Sequence, residues 1–130
     1  MLFRSLTDLL AEAEAAGLRV ELVEDGERPH LPGGLDLVAF RIVQESLTNV
    51  RKHGNGGTAK VWLRYRASTI EIEIVNLVST GDTSNPIDGG HGLIGMRERA
   101  TLFGGDFEAG VGDDGCFHVR AVLPISEEAT

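Results

Sequence analysis

The chain has 130 residues, 42% of them hydrophobic, one cysteine and a formal net charge of −8. That length and apolar content suit one domain with a real core, and a lone cysteine excludes an internal disulfide and a cysteine-built zinc site. The negative balance argues against nonspecific nucleic-acid binding, and with no membrane-length apolar run and no signal-peptide pattern a cytoplasmic domain without membrane contact is expected.

Residues Leu2 to Ala16 read as a helix with Leu6, Leu9, Leu10 and Ala13 on one side and Gly17 just past its end. "LRVELVED" alternates as a strand, with Leu18, Val20 and Leu22 on one face. "GERPHLPGG" is a turn-rich loop, and a long helix from about Leu35 to His53 follows, stopped by "GNGG". Its apolar arc is Ala39, Phe40, Val43, Leu47 and Val50. Glu45 and Asn49 sit one turn apart on a different stripe, with Lys52 and His53 close to it. That polar stripe looks across something other than the core.

Two strands come next, "AKVWLRYR" and "TIEIEIVN", joined by a short turn at Ala67-Ser68. Ala59, Val61, Leu63 and Tyr65 share one face, and Ile70, Ile72 and Ile74 do so on the partner strand. The opposite face carries Lys60, Arg64, Arg66, Glu71 and Glu73, set for cross-strand charge pairing, and also Trp62, which needs a cover. A long polar stretch, Leu77 to Gly90, reads as a functional lid. A helix from about Leu93 to Phe103 is closed by Gly104-Gly105. Strands "DFEAGV" and "CFHVRAVLP" end the chain around a "GDDG" turn, with Phe107, Ala109 and Val111 sharing a face, as do Phe117, Val119, Ala121 and Leu123. Hairpin-linked strands between amphipathic helices predict an α+β fold. Its form is a two-layer sandwich with one mixed, mostly antiparallel sheet and helices on one face.

"GHGLIG", Gly90 to Gly95, matches the dinucleotide pattern G-x-G-x-x-G formally, with Asp113 and Asp114 further on. No buried strand directly precedes it, so a Rossmann turn is the wrong context. The same glycines can instead bring backbone close to a phosphate at a helix entrance. A helix bearing Glu, Asn, Lys and His, a long loop and this entrance together outline a Mg-nucleotide site, with oxygen ligands for a hard cation and amides for phosphates.

These residues carry a resemblance. "RIVQESLTNVRKH" resembles the N box, "GGHGLIGMRERA" the second glycine box and "GCFHVRAVLP" the closing strand of the catalytic, ATP-binding domain of two-component sensor histidine kinases, in the GHKL superfamily. The "QE-x-L-x-N" and "GM-x-ER" details are most similar to the subclass paired with NarL-type response regulators. The likeness runs from about Leu6 to Pro124 and implies the Bergerat fold, a single catalytic domain over 1–130 with a lid at about 77–90. It implies ATP and Mg2+ as cofactors, Asn49 as the Mg2+ ligand and Glu45 as the catalytic residue that orients water or acts as base. Lys52 and His53 would meet phosphate oxygens, Gly90, Gly92 and Gly95 would form the phosphate turn, and His91 and Leu93 would also be ATP-binding. Met96 would pack beside the nucleotide pocket or steady the helix, and Arg97 or Arg99 would supply charge. The implied partners are the dimerisation and phosphoacceptor domain of the same kinase and a NarL-type regulator. The isolated domain is then monomeric and the full kinase homodimeric.

Two departures stand out. The first glycine box usually reads Asp-x-Gly, the aspartate accepting from the adenine amino group; here Asn76 holds that place in "IVNLVS" and the glycine is missing. A carboxamide can accept from adenine N6 and donate to a ring nitrogen, so Asn76 stays a candidate base-binding residue. And none of His30, His53, His91 and His118 sits in an amphipathic dimerisation helix, so autophosphorylation in cis is not expected. Two other readings compete: a stand-alone serine protein kinase of the anti-sigma-factor type, and a degenerate regulatory module supported only by Asn76 and the lost glycine.

Overall fold

The computed structural model describes residues 2–78 and 91–125; side chains at 53–56, 77–78 and 91–93 lie outside that description. Helix α1 spans Leu2–Ala15 and buries Leu2, Leu6, Leu9 and Ala13, the three-and-four spacing that makes one stripe. It ends where Gly17 turns to φ 98 and the Leu18 N–H donates to the Ala13 carbonyl at 3.0 Å. Strand β1, Arg19–Asp25, leads through a loop to α2, Gly33–His53, which starts two residues before the expected position. The Leu2 N–H donates to Asp36 Oδ1 at 2.6 Å, tying the first turn of α1 to that of α2.

Strand β2 runs Gly54–Tyr65 and β3 Thr69–Val78, with Arg66 N–H bonded to the Thr69 carbonyl at 2.9 Å in the hairpin turn. Helix α2 ends at His53, where "GNGG" is expected to stop it, but these residues form no separate loop: β2 starts at Gly54, five residues before the expected Ala59. Gly54 pairs Val78 and Ala59 pairs Asn76, and the register slips between them. Four sequence positions that break a helix need not form a loop, because glycine tolerates the irregular backbone of a bulge. Helix α3 spans His91–Leu102, β4 Asp106–Val111 and β5 Cys116–Pro124.

The five strands lie in the order β1-β2-β3-β5-β4, with β1 and β2 parallel and every other pair antiparallel. This is the α+β sandwich expected from the sequence. One sheet face carries the buried side chains Val61, Leu63, Ile70, Ile72, Ile74, Val119, Ala121 and Leu123, continuous with those of the three helices. At about 1.5–3 kcal/mol for each large aliphatic side chain so buried, this layer is the main source of stability.

The other face is a lattice of charge. Arg64 reaches Glu71 at 3.4 Å and Glu73 at 3.0 Å, and Arg120 reaches Glu71 at 2.8 Å. Trp62 finds its cover in this lattice: Lys60 Nζ lies 4.7 Å and the Arg64 guanidinium 5.4 Å from the ring centroid. His118 lies between Asp114 at 3.0 Å and Glu73 at 3.7 Å. Val111 departs from the expected pattern. It is 57% exposed although Phe117, its pairing partner, is buried, because it is the last residue of edge strand β4.

Candidate functional site

Helices α2 and α3 pack against each other on the sheet. The Ser46 hydroxyl lies 3.9 Å from Met96 Sδ, and an added Cβ at Gly34 would come within 2.9 Å of the Phe103 ring. Contacts between 46 and 96 and between 34 and 103 mean that the two helices run antiparallel. The C-terminal half of α2 therefore lies beside the N-terminal half of α3. On the other flank of α2, Leu47, Thr48 and Arg51 line a groove shared with Leu9 and Ala13 of α1.

That arrangement answers the question raised by the polar stripe. Counting about 100° per residue from Ser46, Asn49 lies about 60° and Glu45 about 100° to one side, while Leu47 and Thr48 turn the opposite way toward α1. Glu45 and Asn49 consequently face α3. Both are half-buried, and Lys52 at the end of the stripe is exposed. His53 is the last residue of α2 and His91 the first of α3, which puts both helix termini at the same end of the domain.

Asn49 carries an unusual feature. Its Nδ2 is buried and finds no hydrogen-bond partner among the described residues. A buried, unpaired amide donor costs about 1–3 kcal/mol, so its retention calls for an acceptor other than the described residues, and a bound ligand can be one. Turned about its last torsion, the same amide presents its oxygen, a suitable ligand for a hard cation or its waters.

On α3 the glycines sit differently from the expectation. The helix begins at His91, so Gly92, Leu93 and Gly95 lie within it and not in a turn before it; of the lid expected at about 77–90, residues 77 and 78 end β3 instead, and 79–90, Gly90 among them, lie outside the described residues. Glycines leave no side-chain periodicity to reveal that a helix has begun. Gly95 needs no special backbone, as its φ is not positive, and a Cβ there would meet only the Arg99 guanidinium at 3.5 Å. Nothing within the described chain demands glycine at 95, which leaves a smooth backbone surface on which a ligand can rest. Met96 is fully buried against Ser46 and so fixes α3 on α2. Ser46, itself 1% exposed, was missed in the sequence; its position three residues before Asn49 on the core side was the available signal.

Asn76 continues the inward row of Ile70, Ile72 and Ile74 along β3 and is 5% exposed, between Ala59 and Phe117 in register. A carboxamide in an otherwise aliphatic row, beside a residue as small as Ala59, is a polar group set into the wall of the helix-covered face. Among the described residues no cluster of three metal-ligating side chains exists. A cation bound through Asn49 would draw its remaining ligands from phosphate and water, as Mg2+ commonly does. The buried amide, the bare Gly95 and the buried carboxamide are compatible with a Mg-nucleotide.

No family model matches the chain. It is 28% identical over 92 residues to the signal transduction histidine-protein kinase/phosphatase DegS of Brevibacillus brevis, covering 71% of this chain and 24% of that protein. It is 27% identical over 129 residues to the sensor histidine kinase LnrJ of Bacillus subtilis, covering 98% of this chain and 31% of that protein. The chain thus spans roughly a quarter to a third of the length of these relatives. Among solved structures, the histidine kinase domain of the blue-light activated kinase EL346 of Erythrobacter litoralis superposes with TM-score 0.72 at 17% identity, covering 98% of this chain and 60% of that one. The catalytic domain of histidine kinase ThkA, in a nucleotide-free form, superposes with TM-score 0.66 at 12% identity, covering 92% and 93%. The fold is that of histidine kinase catalytic domains. By sequence, the chain is homologous to sensor histidine kinases.

Proposed function

We propose that the chain is a Mg-ATP-binding catalytic domain that places ATP for phosphoryl transfer to a histidine on a separate dimerisation domain, in two-component signalling. The observation that carries this reading is the buried amide of Asn49, unpartnered among the described residues and facing a helix that carries glycine at 92 and 95 in its early turns. Homology to sensor kinases supports the same assignment.

Asn49 would hold Mg2+, with Lys52 and His53 beside it meeting phosphate oxygens and His91, Gly92, Leu93 and Gly95 offering helix N–H groups and close backbone approach. When bound, Mg2+ neutralises charge on the phosphates and so lowers the cost of nucleophilic approach. Glu45, one turn before Asn49, orients the attacking group or takes its proton. Met96 and Ser46 keep the two helices at the spacing this arrangement needs. Asn76 would read the base as a carboxamide, accepting from adenine N6 and donating to a ring nitrogen. It forgoes the charge-assisted bond of an aspartate, so Asn76→Asp should tighten ATP and leave GTP unchanged. Equal affinity of the parent chain for ATP and GTP would remove Asn76 from base selection.

The regulator is then of NarL type and the full kinase a homodimer. The test is transfer from γ-labelled ATP to a separately supplied dimerisation segment of a sensor kinase. Label lost in acid and kept in alkali marks phosphohistidine and supports the reading. Acid-stable label on a protein serine would favour the serine-kinase alternative, and no label on the chain alone is expected.

A further inference from the structure

Two arginines lie on α3 within one turn of each other, and the structure separates them. The Arg97 guanidinium lies 5.9 Å from the Phe107 ring centroid, turned toward edge strand β4. Arg99 is exposed, and no carboxylate among the described residues lies within ion-pair distance of it. Its guanidinium instead turns back one helical turn, with Nη1 3.5 Å from where a Gly95 Cβ would stand. Long helical side chains lean toward the N-terminus, and here the missing side chain at 95 leaves the guanidinium room to lie along the helix.

The direction matters more than the distance. With Met96 buried toward Ser46, a 100° pitch puts Gly92, Gly95 and Arg99 on one stripe to the side opposite Arg97. Arg97 faces β4, at the sheet edge, so that stripe faces the α2 side. Because α3 runs antiparallel to α2 with 96 opposite 46, a group leaning from 99 toward 95 comes level with the Glu45–Asn49 turn. In a chain of net charge −8, an anion at that level needs local cations. Lys52 supplies one from α2; on α3 it is Arg99, not Arg97, that leans toward this level, with no carboxylate partner among the described residues.

We propose that Arg99 is a phosphate-contacting residue of the nucleotide site, its guanidinium lying over Gly95 to meet the outer phosphate oxygens. This rests on the nucleotide reading above and assigns to α3 a side-chain contact in addition to its backbone amides. Guanidinium and phosphate suit each other because the planar fork donates two parallel N–H bonds, and an exposed arginine loses little hydration in doing so.

The experiment is calorimetric titration of the parent chain, Arg99→Gln, Arg99→Lys and Arg97→Gln with Mg-ATP, Mg-ADP and AMP, with thermal melts to check folding. Arg99→Gln should weaken ATP about tenfold, the scale of one charge-assisted hydrogen bond, ADP less, and AMP not at all. Arg99→Lys should recover part of the loss, and Arg97→Gln should bind as the parent does. Undiminished ATP binding by Arg99→Gln, or equal losses for all three nucleotides, would overturn the assignment while leaving the nucleotide site intact. Failure of the parent chain itself to bind Mg-ATP would overturn both.

Discussion

Replacing Asn49 by leucine should make the unliganded domain more stable and abolish its nucleotide binding. The Asn49 Nδ2 is buried without a partner among the described residues, and recovering that loss with an apolar side chain of similar size is worth about 1–2 kcal/mol. Better helix propensity adds about half a kcal/mol, since leucine ranks well above asparagine inside a helix. For 130 residues at about 2.1 cal/mol/K each, the entropy of unfolding near the melting temperature is about 0.27 kcal/mol/K. A gain of about 1.5–2.5 kcal/mol then raises Tm by roughly 6–9 °C. Differential scanning calorimetry without nucleotide measures the gain, and the same sample titrated with Mg-ATP measures the loss of binding. Such a trade of stability for activity is the signature of a residue kept for a ligand. A Tm that falls, or rises by no more than propensity accounts for, would refute the reasoning by showing that the amide serves the fold.

Met96 is fully buried between α3 and α2, so Met96→Ala should cost about 2–5 kcal/mol in urea denaturation, whereas Met96→Leu, which conserves volume, should cost under about 1.5. Gly105→Ala should destabilise by at least about 1–3 kcal/mol, because a Cβ there would stand 2.5 Å from the Val122 carbonyl oxygen, a backbone atom that cannot step aside; an unchanged melting midpoint would contradict that packing. Glu24 is hydrogen-bonded by Arg28, at 2.7 Å, and by the Tyr65 hydroxyl, which together hold its carboxyl below the usual 4.5. Its stabilising contribution is present above pH 4.5 and is lost as pH falls below it, so Glu24→Gln should flatten the acid limb of a stability-versus-pH curve. Tyr65 is shifted the other way, upward from 10, by burial and by the Glu24 carboxylate. Stability should therefore fall as pH rises above 10, and Tyr65→Phe should remove that loss.

The architecture was legible because its signals are local. Leu2, Leu6, Leu9 and Ala13 declare a helix by spacing alone, Ile70, Ile72 and Ile74 a strand by alternation, and Gly17 and Gly104 end helices by positive φ. The polar stripe of Glu45 and Asn49 was legible for the same reason, as a break in an amphipathic period. What it faced was not legible, since α3 comes from 50 residues further along the chain, as in the Ser46–Met96 contact. The start of α3 was misplaced because Gly92 and Gly95 contribute nothing to a hydrophobic period. "GNGG" ends α2 as expected but hides an early strand start: glycine permits a turn without requiring one, and pairing of Gly54 with Val78 takes it into the sheet. The cover over Trp62 and the two acids flanking His118 are cross-strand effects that depend on register, which a single sequence does not fix.

The central claim is that α2 and α3 frame a Mg-nucleotide site with Asn49 at its metal end. Calorimetric titration of the chain with ATP, with and without Mg2+, beside Asn49→Ala, tests it most directly. Binding should strengthen with Mg2+ in the parent chain and lose that dependence in Asn49→Ala. Mg2+-independent binding, or an Asn49→Ala titration that overlays the parent's, would contradict it.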